Sequence, residues 1–153
     1  MDFIQRYIMS TNIIAIGSDH AGFELKSELI RYLTSKGMDV LDKGCYSSER
    51  ADYPDYGHAV ALAVTNGECE RGILMCGSGN GINMSANKHK GIRAALCWNK
   101  EIAELARLHN DANILVLPAR YIGEEEAKHC IDVFLDTAFE GGRHAGRIQK
   151  IDC

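Results

Sequence analysis

The sequence predicts an α/β protein: a single doubly wound domain with a five-stranded parallel sheet and helices on both faces. Three observations carry this. Short apolar runs alternate with longer segments whose apolar residues recur at helical spacing. The chain has 153 residues, enough for one domain with one sizeable core. The run Gly72-Ile73-Leu74-Met75-Cys76-Gly77-Ser78-Gly79-Asn80-Gly81-Ile82 reads as a buried strand ending on a cysteine, then a loop almost without side chains that opens into a helix. Strands that alternate with helices pair in parallel, and right-handed crossovers cover both faces of the sheet.

Taken in order, Asn12 to Gly17 is an isoleucine-rich strand. Glu24 to Ser35 is a helix with Leu25, Leu29, Tyr32 and Leu33 on one face, closed by Gly37. Asp39 to Leu41 is a short strand. The polar loop Lys43 to Asp52 leads to Pro54 and a helix running to about Asn66. Arg71 to Cys76 is the third strand, and a short helix containing Ile82, Ala86 and Asn87 follows the glycines. Arg93 to Cys97 is a strand and Lys100 to Leu108 a helix. Asn113 to Leu117 is the fifth strand, stopped by Pro118. Glu124 to Phe139 reads as a long helix, because Ala127, Cys130, Ile131, Phe134, Leu135 and Ala138 follow the 3.6-residue period. Glu140 to Cys153 is a glycine-rich, basic tail. No internal repeat or linker divides this Rossmann-like domain, which spans residues 12–153 behind an N-terminal extension, residues 1–11. The extension is short and lacks the apolar core of a signal peptide.

Composition narrows the function. Hydrophobic residues make up 46% and charged residues 25%, an ordinary soluble balance. A net charge of -4 argues against a general nucleic-acid binder. No apolar run approaches membrane-spanning length, so no membrane partner is expected. The six cysteines (Cys45, Cys69, Cys76, Cys97, Cys130, Cys153) include no C-x-x-C pair, and the chain can build a core without staples. Reduced thiols and a cytoplasmic location are therefore expected, without a zinc site of clustered Cys/His spacing.

Three common phosphate motifs fail. The third glycine of a dinucleotide fingerprint would fall at Ile82, as would the arginine of a cysteine-phosphatase loop. Gly17 to Gly22 has Walker A spacing, but Phe23 and Glu24 replace the lysine and the hydroxyl residue. What remains is a thiol at a strand end above a loop of exposed N–H groups. Cys76 reads either as a small buried core residue or as a base or nucleophile whose pKa is lowered by the helix N-terminus. Asp19-His20, at the end of the first strand, shares that edge; Asp19 is otherwise an N-cap and His20 a surface residue. His109-Asn110-Asp111 ends a helix, where turn chemistry and the helix dipole also explain such residues. Arg143, His144 and Arg147 form a basic, flexible hook suited to phosphate or simply solvated, and Arg120 reads as a phosphate ligand or a turn residue.

Seven segments in order resemble the type B ribose-5-phosphate isomerases and their galactose-6-phosphate isomerase relatives. They are Gly17-Ser18-Asp19-His20-Ala21-Gly22-Phe23, Asp52-Tyr53-Pro54, Cys76-Gly77-Ser78-Gly79-Asn80-Gly81-Ile82, Ala86-Asn87-Lys88, Gly91-Ile92-Arg93-Ala94, His109-Asn110-Asp111 and Gly141-Gly142-Arg143-His144. The resemblance spans about residues 12–150. It implies an aldose–ketose isomerase that interconverts D-ribose 5-phosphate and D-ribulose 5-phosphate in the non-oxidative pentose phosphate pathway, through a cis-enediolate. It implies no cofactor and no metal. Cys76 is similar to the base of the family's cysteine branch, and Ser78 to a hydroxyl that helps move protons on the substrate oxygens. The N–H groups of Gly77, Ser78, Gly79, Asn80 and Gly81 would form the anion hole. His109 would open the furanose ring, with Tyr53 nearby. Asp19 and Asn110 would hold sugar hydroxyls, and His20, Arg120, Arg143 and Arg147 the phosphate. The resemblance also implies a homodimer or a dimer of dimers whose sites are shared between subunits. Asn80 and Asn83 depart from it, standing where relatives often carry a small apolar residue and a serine. Galactose-6-phosphate or allose-6-phosphate isomerisation is the alternative within the family, and a sugar-phosphate-binding module the alternative outside enzymes.

Overall fold

The computed structural model describes residues 12–153; the extension assigned to residues 1–11 lies outside the described residues. Strands β1 (Ile13–Ser18), β2 (Asp39–Asp42), β3 (Arg71–Cys76), β4 (Ala94–Leu96) and β5 (Ile114–Pro118) form one all-parallel sheet in the order β2-β1-β3-β5-β4. The helices are α1 (Phe23–Ser35), α2 (Tyr53–Thr65), α3 (Asn80–Ala86), α4 (Lys100–Asn110), α5 (Glu124–Asp136) and α6 (Arg143–Ile148), with a 3-10 turn at His20–Gly22. No helix among the described residues is long and apolar enough to cross a membrane. None of the six cysteines is bonded to another.

The period-2 pleat sorts each central strand between two cores. Ile14, Ile16, Ile73, Met75, Leu115 and Leu117 face α1, α4 and α5, against Leu29, Leu33, Ala103, Ala106, Ile131 and Phe134. Ala15, Leu74, Cys76, Ile114 and Val116 face α2 and α3, against Val60, Ala61, Ile82 and Ala86. Strands buried on both faces need continuous apolar runs, which explains Ile73-Leu74-Met75-Cys76 and Ile114-Leu115-Val116-Leu117. After β2 the chain crosses to the other side of β1, so β1 and β3 lie side by side and Ser18 pairs with Met75. In open α/β sheets, ligands bind at the carboxyl ends of strands at such a switch point.

Two expectations are corrected. The long helix ends at Asp136, not Phe139: Thr137 is extended and Ala138 is exposed outside the helix. Arg71 donates to the carbonyls of Phe134 and Leu135, and Arg107 donates from Nε to the Thr137 carbonyl at 3.0 Å. Side-chain donors thus satisfy carbonyls that another helical turn would have needed. The tail is no loose hook. The Glu140 N–H bonds the Leu108 carbonyl at 3.1 Å, Gly141 and Gly142 turn the chain at positive φ, and α6 docks with His144 buried.

Arg107 is the buried tie between these pieces. Besides Thr137, its Nη1 reaches the Ala112 carbonyl at 2.6 Å and Asp111 Oδ1 at 2.9 Å. Asp111 caps α4 with φ 46°, and Arg93 pairs with its second oxygen at 3.4 Å. Arg107→Ala is expected to cost about 3 kcal/mol, because it strands buried carbonyls and leaves a void. Urea unfolding measures this; a loss under about 1 kcal/mol would show that water replaces the guanidinium.

Candidate active site

At the carboxyl edge, the end of β1 delivers Asp19 and the end of β3 delivers Cys76. Asp19 is buried and does two jobs. Its Oδ1 accepts from the N–H groups of Ala21 at 3.0 Å and Gly22 at 3.3 Å, capping the 3-10 turn, while its charge also acts on Cys76. The Cys76 thiol is buried, and the backbone N–H groups of Ile82, Gly79 and Gly81 face it. The loop takes this path only with glycine. Gly79 has φ +80°, and an added Cβ there would meet Leu96 at 2.5 Å. A Cβ at Gly81 would sit 2.5 Å from the Tyr53 ring, so Tyr53 lies directly over the loop.

Other predicted residues join this edge. The N–H groups of Ala119 and Arg120 bond the carbonyls of Cys76 and Gly77 at 2.9 and 3.0 Å, which ties the turn after β5 to the glycine loop. The Arg120 guanidinium then lies over Gly77. Ser78 is exposed, and its Oγ accepts from both the N–H and the Nδ2 of Asn80 at 3.3 Å, so Asn80 orients the hydroxyl. Asn83, in contrast, keeps a buried Oδ1 without a partner. His20 Nδ1 lies 3.2 Å from both the N–H and the carbonyl oxygen of Ala51, which ties the ring to the loop ahead of Asp52. Asp19, His20, Asp52 and Tyr53 line a cleft of about 450 Å³. Arg50 lines it too; the sequence reading passed over this residue, which sits in the polar loop just ahead of Asp52-Tyr53-Pro54.

His109 and Asn110 lie at the opposite edge. In the β3–β5 ladder, Gly72 pairs with Ile114 and Cys76 with Pro118. His109 and Asn110 precede Ile114, so a run of strand on the order of 13 Å separates their edge from Cys76. There His109, Asn110, His144 and Arg147 line a second cleft of about 370 Å³. The rings of His109 and His144 stack with centroids 4.4 Å apart. Arg143 is exposed at the start of α6. Within one chain, the predicted site residues therefore form two clusters on opposite edges.

A family sequence profile described as Ribose/Galactose Isomerase matches residues 14–151. The chain belongs to the ribose/galactose isomerase family. It is 50% identical over 138 residues to ribose-5-phosphate isomerase B of Escherichia coli strain K12, covering 90% of this chain and 93% of that protein. The crystal structure of a ribose 5-phosphate isomerase from Thermotoga maritima superimposes with a TM-score of 0.90 at 54% identity, covering 92% of this chain and 97% of that one. The ribose-5-phosphate isomerase B of Mycoplasma genitalium, solved with bound ribulose-5-phosphate, superimposes with a TM-score of 0.86 at 44% identity, covering 91% and 93%.

This member of the family departs from the sequence expectation at its thiol. Burial pushes the Cys76 pKa up, the Asp19 carboxylate adds to the rise, and the loop N–H groups offset only part of it. Desolvation outweighs the loop because the sulfur is sealed in the α2–α3 core. The resting thiol is thus protonated at neutral pH, and its thiolate is a stronger base than a lowered pKa would give. Alkylation of Cys76 by iodoacetamide should therefore rise about tenfold per pH unit from pH 7 past the ordinary thiol pKa of ~8.5. Mass spectrometry separates it from the exposed Cys153. A plateau below pH 8 would show a lowered pKa instead.

Proposed function

We propose that this chain is a ribose-5-phosphate isomerase of the cysteine branch, with its active site assembled from the opposite edges of two copies. The observation that carries the reading is the buried Cys76 sulfur at the switch point, faced by loop N–H groups and acted on by the Asp19 charge, with Tyr53 over Gly81 of the same loop. Identity to enzymes of this activity over nine-tenths of the chain supports the substrate.

The geometry supports these steps. Cys76 takes the proton from C2 of the open-chain aldose and returns one to C1. The N–H groups of the Gly77–Gly81 loop hold the enediolate oxygens, and fixed dipoles in a water-poor site need no reorganisation as that charge develops. Ser78, oriented by Asn80, relays protons between the two oxygens. Asp19 accepts from a sugar hydroxyl through the oxygen its capping bonds leave free. His20 and Arg120 bind the phosphate from this edge. His109 opens the furanose ring beside Tyr53, Asn110 holds a hydroxyl, and Arg143 and Arg147 add to the phosphate grip. These last four belong to the other edge, so they come from a second copy, in a homodimer or a dimer of dimers. Two-fold symmetry completes two such sites at once.

Cys76→Ala should lower turnover of ribose 5-phosphate by roughly 10²–10⁴-fold, with chelator present throughout. Turnover of galactose 6-phosphate or allose 6-phosphate in place of the pentose would keep the mechanism and change the substrate. Subunit sharing has its own check. Cys76→Ala and His109→Asn chains, each inactive, should regain about a quarter of wild-type activity when co-expressed, because half the dimers then carry one intact site. No recovery in the mixture would place both residues in one chain's site.

A further inference from the structure

His109, Glu140 and His144 meet where α4, the turn after α5 and α6 converge. Their ligand-type atoms all lie within 4.8 Å of one another. Glu140 Oε2 stands 3.8 Å from His109 Nε2 and 3.9 Å from His144 Nε2. None of these is a hydrogen bond. His144 is 5% exposed, and its Nε2 is buried with no hydrogen-bond partner. A buried imidazole nitrogen without a partner is costly unless something occupies it. Here it lies 3.9 Å from the Glu140 carboxylate, with the His109 ring stacked on its own.

We propose that His109, Glu140 and His144 bind a zinc-class transition-metal ion, and that the ion inhibits the isomerase by capturing His109. The inhibitory part rests on the reading of His109 as the ring-opening group; the binding part does not. Two imidazoles and one carboxylate make a donor set typical of zinc, with a fourth position left for water. Imidazole nitrogens disfavour magnesium and calcium, which prefer oxygen.

The site needs only a small closure. Bonds of about 2.0–2.1 Å in a tetrahedron place donors roughly 3.3 Å apart. His109 and Glu140 have side chains 39% and 49% exposed, so both can move toward the fixed His144. His109 must turn out of its stack to aim Nε2 at the ion. Glu140 precedes Gly141 and Gly142, whose positive φ values allow that adjustment. His144 is ready as a neutral ligand: burial, then the nearby Arg143 charge, hold its pKa below the usual histidine range. Arg143 and Arg147 repel a cation here, and the Glu140 carboxylate offsets part of that. The expected affinity is therefore modest, in the micromolar range.

The test is competition between the protein and a chromogenic zinc chelator near pH 7.5, followed by isomerase assays in zinc buffered at the same free concentrations. One zinc per chain should bind. Glu140→Gln, at an exposed position, and His144→Ala should each weaken binding at least tenfold, and Cys76→Ala should leave it unchanged. Magnesium should not compete. Zinc should inhibit the wild type reversibly, with EDTA restoring turnover, and Glu140→Gln should resist inhibition at the same free zinc. Zinc binding untouched by Glu140→Gln, or lost with Cys76→Ala, would overturn the site. Zinc bound through these side chains with turnover undiminished would overturn the inhibition, and with it the role given to His109.

Discussion

A parallel sheet covered on both faces leaves chemistry nowhere to go but its two edges. β3 and β5 are buried on either side, and every residue from Gly72 to Cys76 and from Ile114 to Pro118 is packed away. Substrate can meet the chain only where strands end. The carboxyl edge offers Asp19, Cys76 and the glycine loop at the β1–β3 switch point. The amino edge offers the end of α4, because a helix that runs back across the sheet delivers its last turn there. That antiparallel return puts His109 a full strand length from Cys76.

The same burial governs the thiol. Cys76 sits in the core cluster with Ile82 and Val116, so solvent cannot stabilise its thiolate, while Asp19 stands close with its own charge. The N–H groups of the loop oppose this only in part. So placed, the thiol rests in its protonated form, which is less open to oxidation and alkylation than a thiolate. The glycines shape the loop beside it. Without a Cβ at positions 79 and 81, the side chains of Leu96 and Tyr53 pack directly against the loop backbone.

The amino edge is organised by charge rather than by apolar packing. Arg107, Arg71 and Arg93 reach helix ends and carbonyls, and Asp111 receives two of the three guanidinium groups. Arginine suits this task because one planar fork satisfies several acceptors at fixed angles. Their work sets where α5 stops, where the chain turns at Gly141-Gly142, and hence where Glu140 and His144 come to lie against His109.

Much of this was legible from residue order alone. The short continuous apolar runs and the helical stripes give all five strands and five of the helices, because burial on both faces of the sheet forces the runs and burial of one helix face forces the stripes. The glycine loop after Cys76 marks the site, since few other needs place a thiol before alternating glycines. The seven segments give the family. Tertiary structure decided the rest. The pKa direction of Cys76 depends on how deeply α2 and α3 seal the sulfur, which no local pattern encodes. The end of α5 depends on arginines distant in sequence, so periodicity overran it to Ala138. The tail becomes a helix only because α4 gives it something to dock on. The separation of His109 from Cys76, and the meeting of His109 with Glu140 and His144, follow from the direction of a helix across a sheet. That is a property of the assembled fold, and spacing along the chain does not contain it.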